Sequence, residues 1–313
     1  MRVFVAGATG AMGRPLVERL QKGGHEVTGL TRSPDRAAEL EKLGIDAAVA
    51  DVYDAEALRA AVEAARPEVL VHQLTDIPQA IDPRRYADAM AGNDRIRVEG
   101  TRNLVAAAQA AGARRIVAQS IAFAYRPHRD GTLRAEDDEL WLDAPEPFRR
   151  STDALHSLES QVLGAEGMDG YVLRYGFIYG PGTSYAKDGS TVAQVRKRAF
   201  PIVAGGRATW SFVHVDDAAR AALRAIETDA APGVFNVVDD APAPVSEWLP
   251  ALAQAVGAKA PRRVPAWLAR LAAGPFAVMA MRDIEAATNE KARRELGWTP
   301  SIASWKEGFR TAL

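Results

Sequence analysis

The chain has 313 residues, enough to bury a substantial core in one large domain or two closely joined ones. With 48% hydrophobic and 25% charged residues, and 39 Lys plus Arg against 40 acids, it has an ordinary soluble composition and no overall field for nucleic acid or an anionic membrane. The absence of cysteine excludes disulfides, thiolate metal ligands and cysteine nucleophiles, and no metal site is expected.

Arg2–Ala6 reads as a strand with no basic leader before it, so a cytoplasmic setting is expected. Met12–Lys22 predicts a helix ending at Gly23-Gly24. Glu26–Leu30 follows as a strand, then Pro34–Leu43 as a helix closed by Gly44. Asp46–Ala50 is a third strand, Ala55–Ala65 a helix capped near Asp54, and Val69–Gln73 a fourth strand. A long helix, Arg95–Ala111, leads to a fifth strand, Arg115–Gln119. Strands alternating with helices of this length need right-handed crossovers, which makes the fold α/β: a doubly wound parallel sheet of Rossmann type.

After Glu139 the texture changes, with a Pro-containing loop, a helix from about Thr152 to Leu163, and a sixth strand at Tyr171–Arg174. Gly180-Pro181-Gly182 opens an excursion over Thr183–Arg207, and Phe212–Val215 and Val234–Val238 return to strand character. Helices at Ser246–Val256, Pro265–Ala273 and Asn289–Leu296 form a small C-terminal lobe. The stretch Trp267 to Met281 is broken by Arg270, Gly274 and Pro275 and is too short to span a bilayer.

Chemistry concentrates between the first strand and first helix, where Gly7, Thr9, Gly10, Ala11, Met12 and Gly13 stand. Glycines there let the backbone turn sharply and bring its N–H groups up to a pyrophosphate, while the helix presents its positive end to the anion. At the end of the second strand, where an acid would take ribose hydroxyls, the chain has Thr31, Arg32 and Ser33. Arg32 can pair with a 2′-phosphate, which favours NADP(H) over NAD(H).

Further along stand Asp51-Val52, His72-Gln73-Leu74-Thr75, Gly100-Thr101-Arg102-Asn103-Leu104, the segment Ser120 to Tyr125, Leu173-Arg174-Tyr175 with Tyr179-Gly180-Pro181-Gly182, Phe212 to Asp217, and Lys291 to Trp298. In this order they resemble the extended and atypical branch of the short-chain dehydrogenase/reductase superfamily, the group described as NAD-dependent epimerase/dehydratase-like. The resemblance implies a dinucleotide-binding domain over 1–180, completed by about 210–238 with the two later strands. A substrate-binding lobe over 181–209 and 239–313 would close a cleft on it. It further implies that Asp51, Val52, Gln73, Leu74, Thr75 and Tyr175 lie along the cofactor, and that two chains pair as a homodimer through the long helices.

One part of the pattern is missing. Most family members move a proton with a Tyr and a Lys four residues later; the equivalent positions here are Ser151 and Leu155, and Arg97 stands where the family has a relay asparagine. Three readings follow. An NADP(H)-dependent oxidoreductase acting on a small carbonyl, alcohol or activated alkene needs another proton donor, and Tyr175, Tyr125, Ser120 and His156 are the candidates, with Gln73 nearby. The same scaffold can run a redox-neutral epimerase, cyclase or lyase reaction, or it can sense NADP(H) without catalysis. Trp267, Leu268, Phe276, Val278 and Met281, with Pro181, Trp210 and Phe212, either line a small-molecule pocket or form ordinary core.

Overall fold

Alternating strand residues set the layers. In β1 (Arg2–Ala6), Val3 and Val5 pack with α1 (Gly13–Lys22), while Phe4 and Ala6 face the opposite layer, as the twofold side-chain period of a strand requires. The computed structural model describes residues 1–312. It continues through β2 (Glu26–Thr31), α2 (Pro34–Lys42), β3 (Asp46–Val49), α3 (Ala55–Ala65) and β4 (Val69–His72). A helical run from Tyr86 to Ala110 comprises α4 (Tyr86–Arg95), a π turn (Ile96–Gly100) and α5 (Thr101–Ala110). Next come β5 (Arg115–Ile121), α6 (Phe148–Leu163) and β6 (Asp169–Tyr175).

The main sheet has seven parallel strands in the order β11-β6-β5-β4-β1-β2-β3, where β11 is Gly233–Val237. Helix α8 (Val215–Glu227) joins α1 on one face. Helices α3, α5 and α6 cover the other through Leu58, Val62, Leu104, Ala107, Leu158 and Val162. This is the doubly wound parallel fold read from the sequence.

Two expectations are corrected. The long helix starts at Tyr86 rather than Arg95, its first turns hidden by the polar Asp88, Asn93 and Asp94. Of the two later strands, only β11 enters the main sheet. Phe212–His214 (β10) pairs instead with Phe177–Tyr179 (β7), because the chain leaves the sheet at Gly176, where a Cβ would lie 2.6 Å from the Ser211 carbonyl.

A separate hydrophobic cluster carries the C-terminal part of the chain. It joins α7 (Ser190–Arg196), β8 (Ile202–Val203), β9 (Thr209–Trp210), α9 (Val245–Ala255), α10 (Ala266–Arg282) and α12 (Trp305–Ala312) to Tyr86, Phe148 and Leu155, while α11 (Glu290–Leu296) packs with α8 instead. Helix α10 is kinked at Gly274 (φ 82°, ψ 175°) ahead of Pro275. Among the described residues no helix is long and apolar enough to cross a membrane.

Buried Asp239 ties this region to the sheet by accepting N–H bonds from Ala241 (3.2 Å) and Trp305 (2.8 Å). Burial pushes its carboxyl up from 3.8 to about 7. The folded protein then binds more protons than the unfolded chain between those values, so native stability falls as pH rises through that window. Urea titrations from pH 4 to 8 are expected to show wild-type stability declining relative to Asp239→Asn, by up to ~1.4 kcal/mol per pH unit. Parallel curves would contradict this.

Candidate active site

At the carboxyl ends of β1, β2 and β4 the chain builds a crevice of about 150 Å³. Gly7 has φ +99°, and a Cβ there would lie 2.7 Å from the Gln73 carbonyl; Gly10 N–H closes the turn on Gly7 O at 3.1 Å. Only glycine lets the loop run this close to β4. Gly7, Thr9, Gly10, Thr31, Arg32, Val52, Gln73, Leu74 and Thr75 all line the crevice.

The other expected cofactor residues lie just outside it. Gly13 and Met12 are buried at the start of α1, and Ala11 stands at van der Waals distance from where a Gly182 Cβ would be. Ser33 donates its N–H to Thr31 Oγ1, and exposed Asp51 accepts the Tyr53 N–H at 2.9 Å. Sequence reasoning missed Arg36, Tyr53 and Asp76, which line the crevice. Arg36 stands in the first turn of α2, four residues after Arg32, which lies before the helix; the nearby second arginine could have revealed it. Neither arginine meets an acid among the described residues.

The crevice fits a dinucleotide on its own chemistry. Both polar atoms of the Gln73 carboxamide lack a protein partner at full hydrogen-bond geometry, with the Tyr175 phenol beside them, and a bound dinucleotide would supply partners. Next to it, His72 is a structural group: it accepts the Leu74 N–H, meets Thr101 Oγ1 at 3.1 Å, and is pushed down to about 4 by burial.

A second, larger cavity of about 650 Å³ opens between the ends of β5 and β7 and helices α4 and α10. Most of its wall is hydrophobic, with stacked aromatic pairs Phe123–Phe177 (4.1 Å), Phe177–Trp210 (3.8 Å) and Tyr86–Phe276 (3.6 Å). Of the apolar residues expected to form a pocket, Phe276, Met281 and Trp210 line it. Phe212 and Val278 pack in the core, Pro181 lies outside the lining, and Trp267 (69% exposed) and Leu268 face outward.

None of the four expected proton donors reaches this cavity. Tyr175 follows Tyr171 and Leu173 on the α8 face of β6, fully buried, its hydroxyl donating to the Ala218 carbonyl at 3.4 Å; burial raises its pKa. Strand parity, not nearness to the cleft, decides where it points. Tyr125 is buried beneath Arg174, donates to Asn236 Oδ1 at 2.6 Å, and is pushed up to about 12 by burial. Ser120 donates to Glu159 Oε1 at 2.7 Å inside a buried knot with Arg174, and His156 is exposed on α6.

Ser151 and Leu155, where the resemblance expects the dyad, lie behind the cavity wall and do not line it. Leu155 is buried in the apolar cluster behind it, and Ser151 donates to Asp94 Oδ2 at 3.1 Å. Tyr86, beside Ser151, Arg97 and Asp94, was not singled out in the sequence because no motif surrounds it; burial pushes its phenol up to about 12.

The model of the NAD dependent epimerase/dehydratase family matches residues 3–237. The chain is 47% identical over 310 residues, 99% of each chain, to the 3-diazoavenalumate denitrifying reductase of a Streptomyces species. It is 29% identical over 327 residues, 96% of this chain and 93% of the other, to the 4-hydroxy-2-methyl-3-oxo-4-farnesyl-3,4-dihydroquinoline-1-oxide ketoreductase of Stigmatella aurantiaca. In fold it is similar to the UDP-glucose 4-epimerase of Thermus thermophilus in complex with NAD, with a TM-score of 0.75 and 24% identity over 100% of this chain and 97% of that one. This protein is therefore an oxidoreductase belonging to the NAD dependent epimerase/dehydratase family.

Proposed function

We propose that this protein is an NADP(H)-dependent reductase that delivers hydride to an aromatic diazo substrate and releases dinitrogen. What supports the reading is that Ser151 and Leu155 stand where the family resemblance expects the proton-donating dyad, beside a glycine-loop crevice and an aromatic cavity. Reduction of a carbonyl needs a proton for the developing alkoxide. Replacement of a diazonium group by hydrogen does not, and the name of the 47% identical relative describes loss of nitrogen from a diazo compound.

When bound, the reduced nicotinamide supplies a hydride to the ring carbon; a C–H bond forms, the C–N bond breaks with its electron pair leaving in N₂, and the oxidised dinucleotide remains. The chain's part is to hold the two reactants together and keep water out of an apolar cavity. Gly7, Gly10 and Gly13 admit the pyrophosphate, Gln73 satisfies its carboxamide on the dinucleotide, and Arg32 with Arg36 receives the 2′-phosphate. Residues 1–180, completed by 210–238, would serve the cofactor, and 181–209 with 239–313 the substrate. A cytoplasmic homodimer belongs to the same reading, with Val98 and Leu163 exposed on the helices that would pair.

The test mixes protein and NADPH with an ortho-hydroxy arenediazonium, a small ketone, an aldehyde and an activated alkene. Enzyme-dependent NADPH consumption with equimolar N₂ is expected from the diazo compound alone. Turnover of the ketone, aldehyde or alkene without the diazo compound would overturn the substrate class, and tight NADPH binding with no consumption would favour a redox-neutral or sensing role. Arg32→Glu is expected to weaken NADPH at least about 10-fold more than NADH; equal loss of both would defeat the NADP(H) assignment.

A further inference from the structure

Two arginines line the large cavity. Arg84 is exposed, and its Nε is spent on the Ala272 carbonyl. Arg97 is only 8% exposed and sits on the π turn Ile96–Gly100, where the extra residue per turn re-aims side chains that a regular helix would place elsewhere. Its Nη1 donates to Asp94 Oδ1 at 3.3 Å, and no other acceptor among the described residues meets its remaining N–H groups.

Asp94 pairs with this charge through that one N–H group only. It also accepts from Ser151, it does not line the cavity, and burial raises its own pKa. Removing a guanidinium from water without full pairing is costly, and the fork of donors left over matches a planar oxyanion.

We propose that Arg97, with the Tyr86 hydroxyl beside it, anchors the substrate by an oxyanion that the aromatic substrate carries. The ring of that substrate lies against the Tyr86–Phe276 and Phe123–Phe177–Trp210 stacks of the same cavity. Arg97 thus takes over, as a fixed cation, the position from which the family's relay would have moved a proton. This deepens the proposed function, resting on the cavity as substrate site but not on the reaction.

Binding, read by calorimetry with and without NADP⁺, tests it apart from turnover. The probes are cinnamate, cinnamamide and 4-hydroxycinnamamide. If a carboxylate is the oxyanion, cinnamate binds at least about 30-fold more tightly than cinnamamide. If a phenolate is, 4-hydroxycinnamamide holds that advantage and shows the absorbance shift of an ionised phenol. Either preference is expected to vanish in Arg97→Met and to survive in part in Arg97→Lys. Wild-type protein that binds all three probes alike, or none of them, overturns the proposal, as does a preference that persists in Arg97→Met. The wild-type comparison decides even if a variant fails to fold, and failure here leaves the N₂ assay untouched.

Discussion

Replacing Gly13 by alanine is expected to weaken NADPH binding by at least about 100-fold and to cost roughly 2–3 kcal/mol of stability. The added Cβ would lie 2.0 Å from the Gly7 carbonyl oxygen and 2.7 Å from that of Ala8, both main-chain atoms that no rotamer change can move. Helix α1 would have to withdraw from the loop, taking its free N–H groups away from the pyrophosphate. Gly10→Ala separates the two effects, since its Cβ approaches only Gly7 O, at 3.3 Å, and lies in the crevice itself. Calorimetric titration with NADPH alongside urea unfolding should show binding lost in both variants and stability lost chiefly in Gly13→Ala. Wild-type affinity in Gly13→Ala would contradict the assignment of this loop.

Glu159→Ala is expected to destabilise the fold by about 3–5 kcal/mol. Glu159 receives Arg174 Nε on Oε1 at 2.9 Å and Arg174 Nη2 on Oε2 at 2.6 Å, and Oε1 also accepts from Ser120. Both ions are buried, so the truncation leaves a guanidinium stranded beneath the sheet's ends, next to Tyr125. Because the knot ties β5, α6 and β6 together, its loss also loosens the wall from which Ser151 reaches Asp94. Equilibrium unfolding in urea measures the effect, and a change below about 1 kcal/mol would show that the pair is dispensable.

The sequence made the glycine-loop crevice readable because its constraints are local. A glycine loop between a strand and a helix, and an arginine where an acid would stand, are properties of short segments. The cavity side depends on distant pairings. Phe123, Phe177, Trp210 and Phe276 come from four separate elements and meet only in the folded chain. Tyr175 shows how proximity misleads: it ends a strand at the cleft, yet its parity with Tyr171 and Leu173 turns it towards α8. Tyr125 and Ser120 were legible as family positions, but their buried partners Asn236 and Glu159 lie 111 and 39 residues away. Arg97 was noticed as a departure from the family pattern; that a π turn directs it into an apolar cavity could be learned only from the backbone.

In the proposed reaction these two halves would meet at the carbon that receives hydride. The most direct measurement follows the origin of the hydrogen placed on the product ring, using NADPH deuterated at C4 in ordinary water and unlabelled NADPH in D₂O. Transfer from the nicotinamide without help from an enzyme acid predicts deuterium on the ring carbon that lost nitrogen in the first case and none in the second. Deuterium arriving there from solvent would contradict the account.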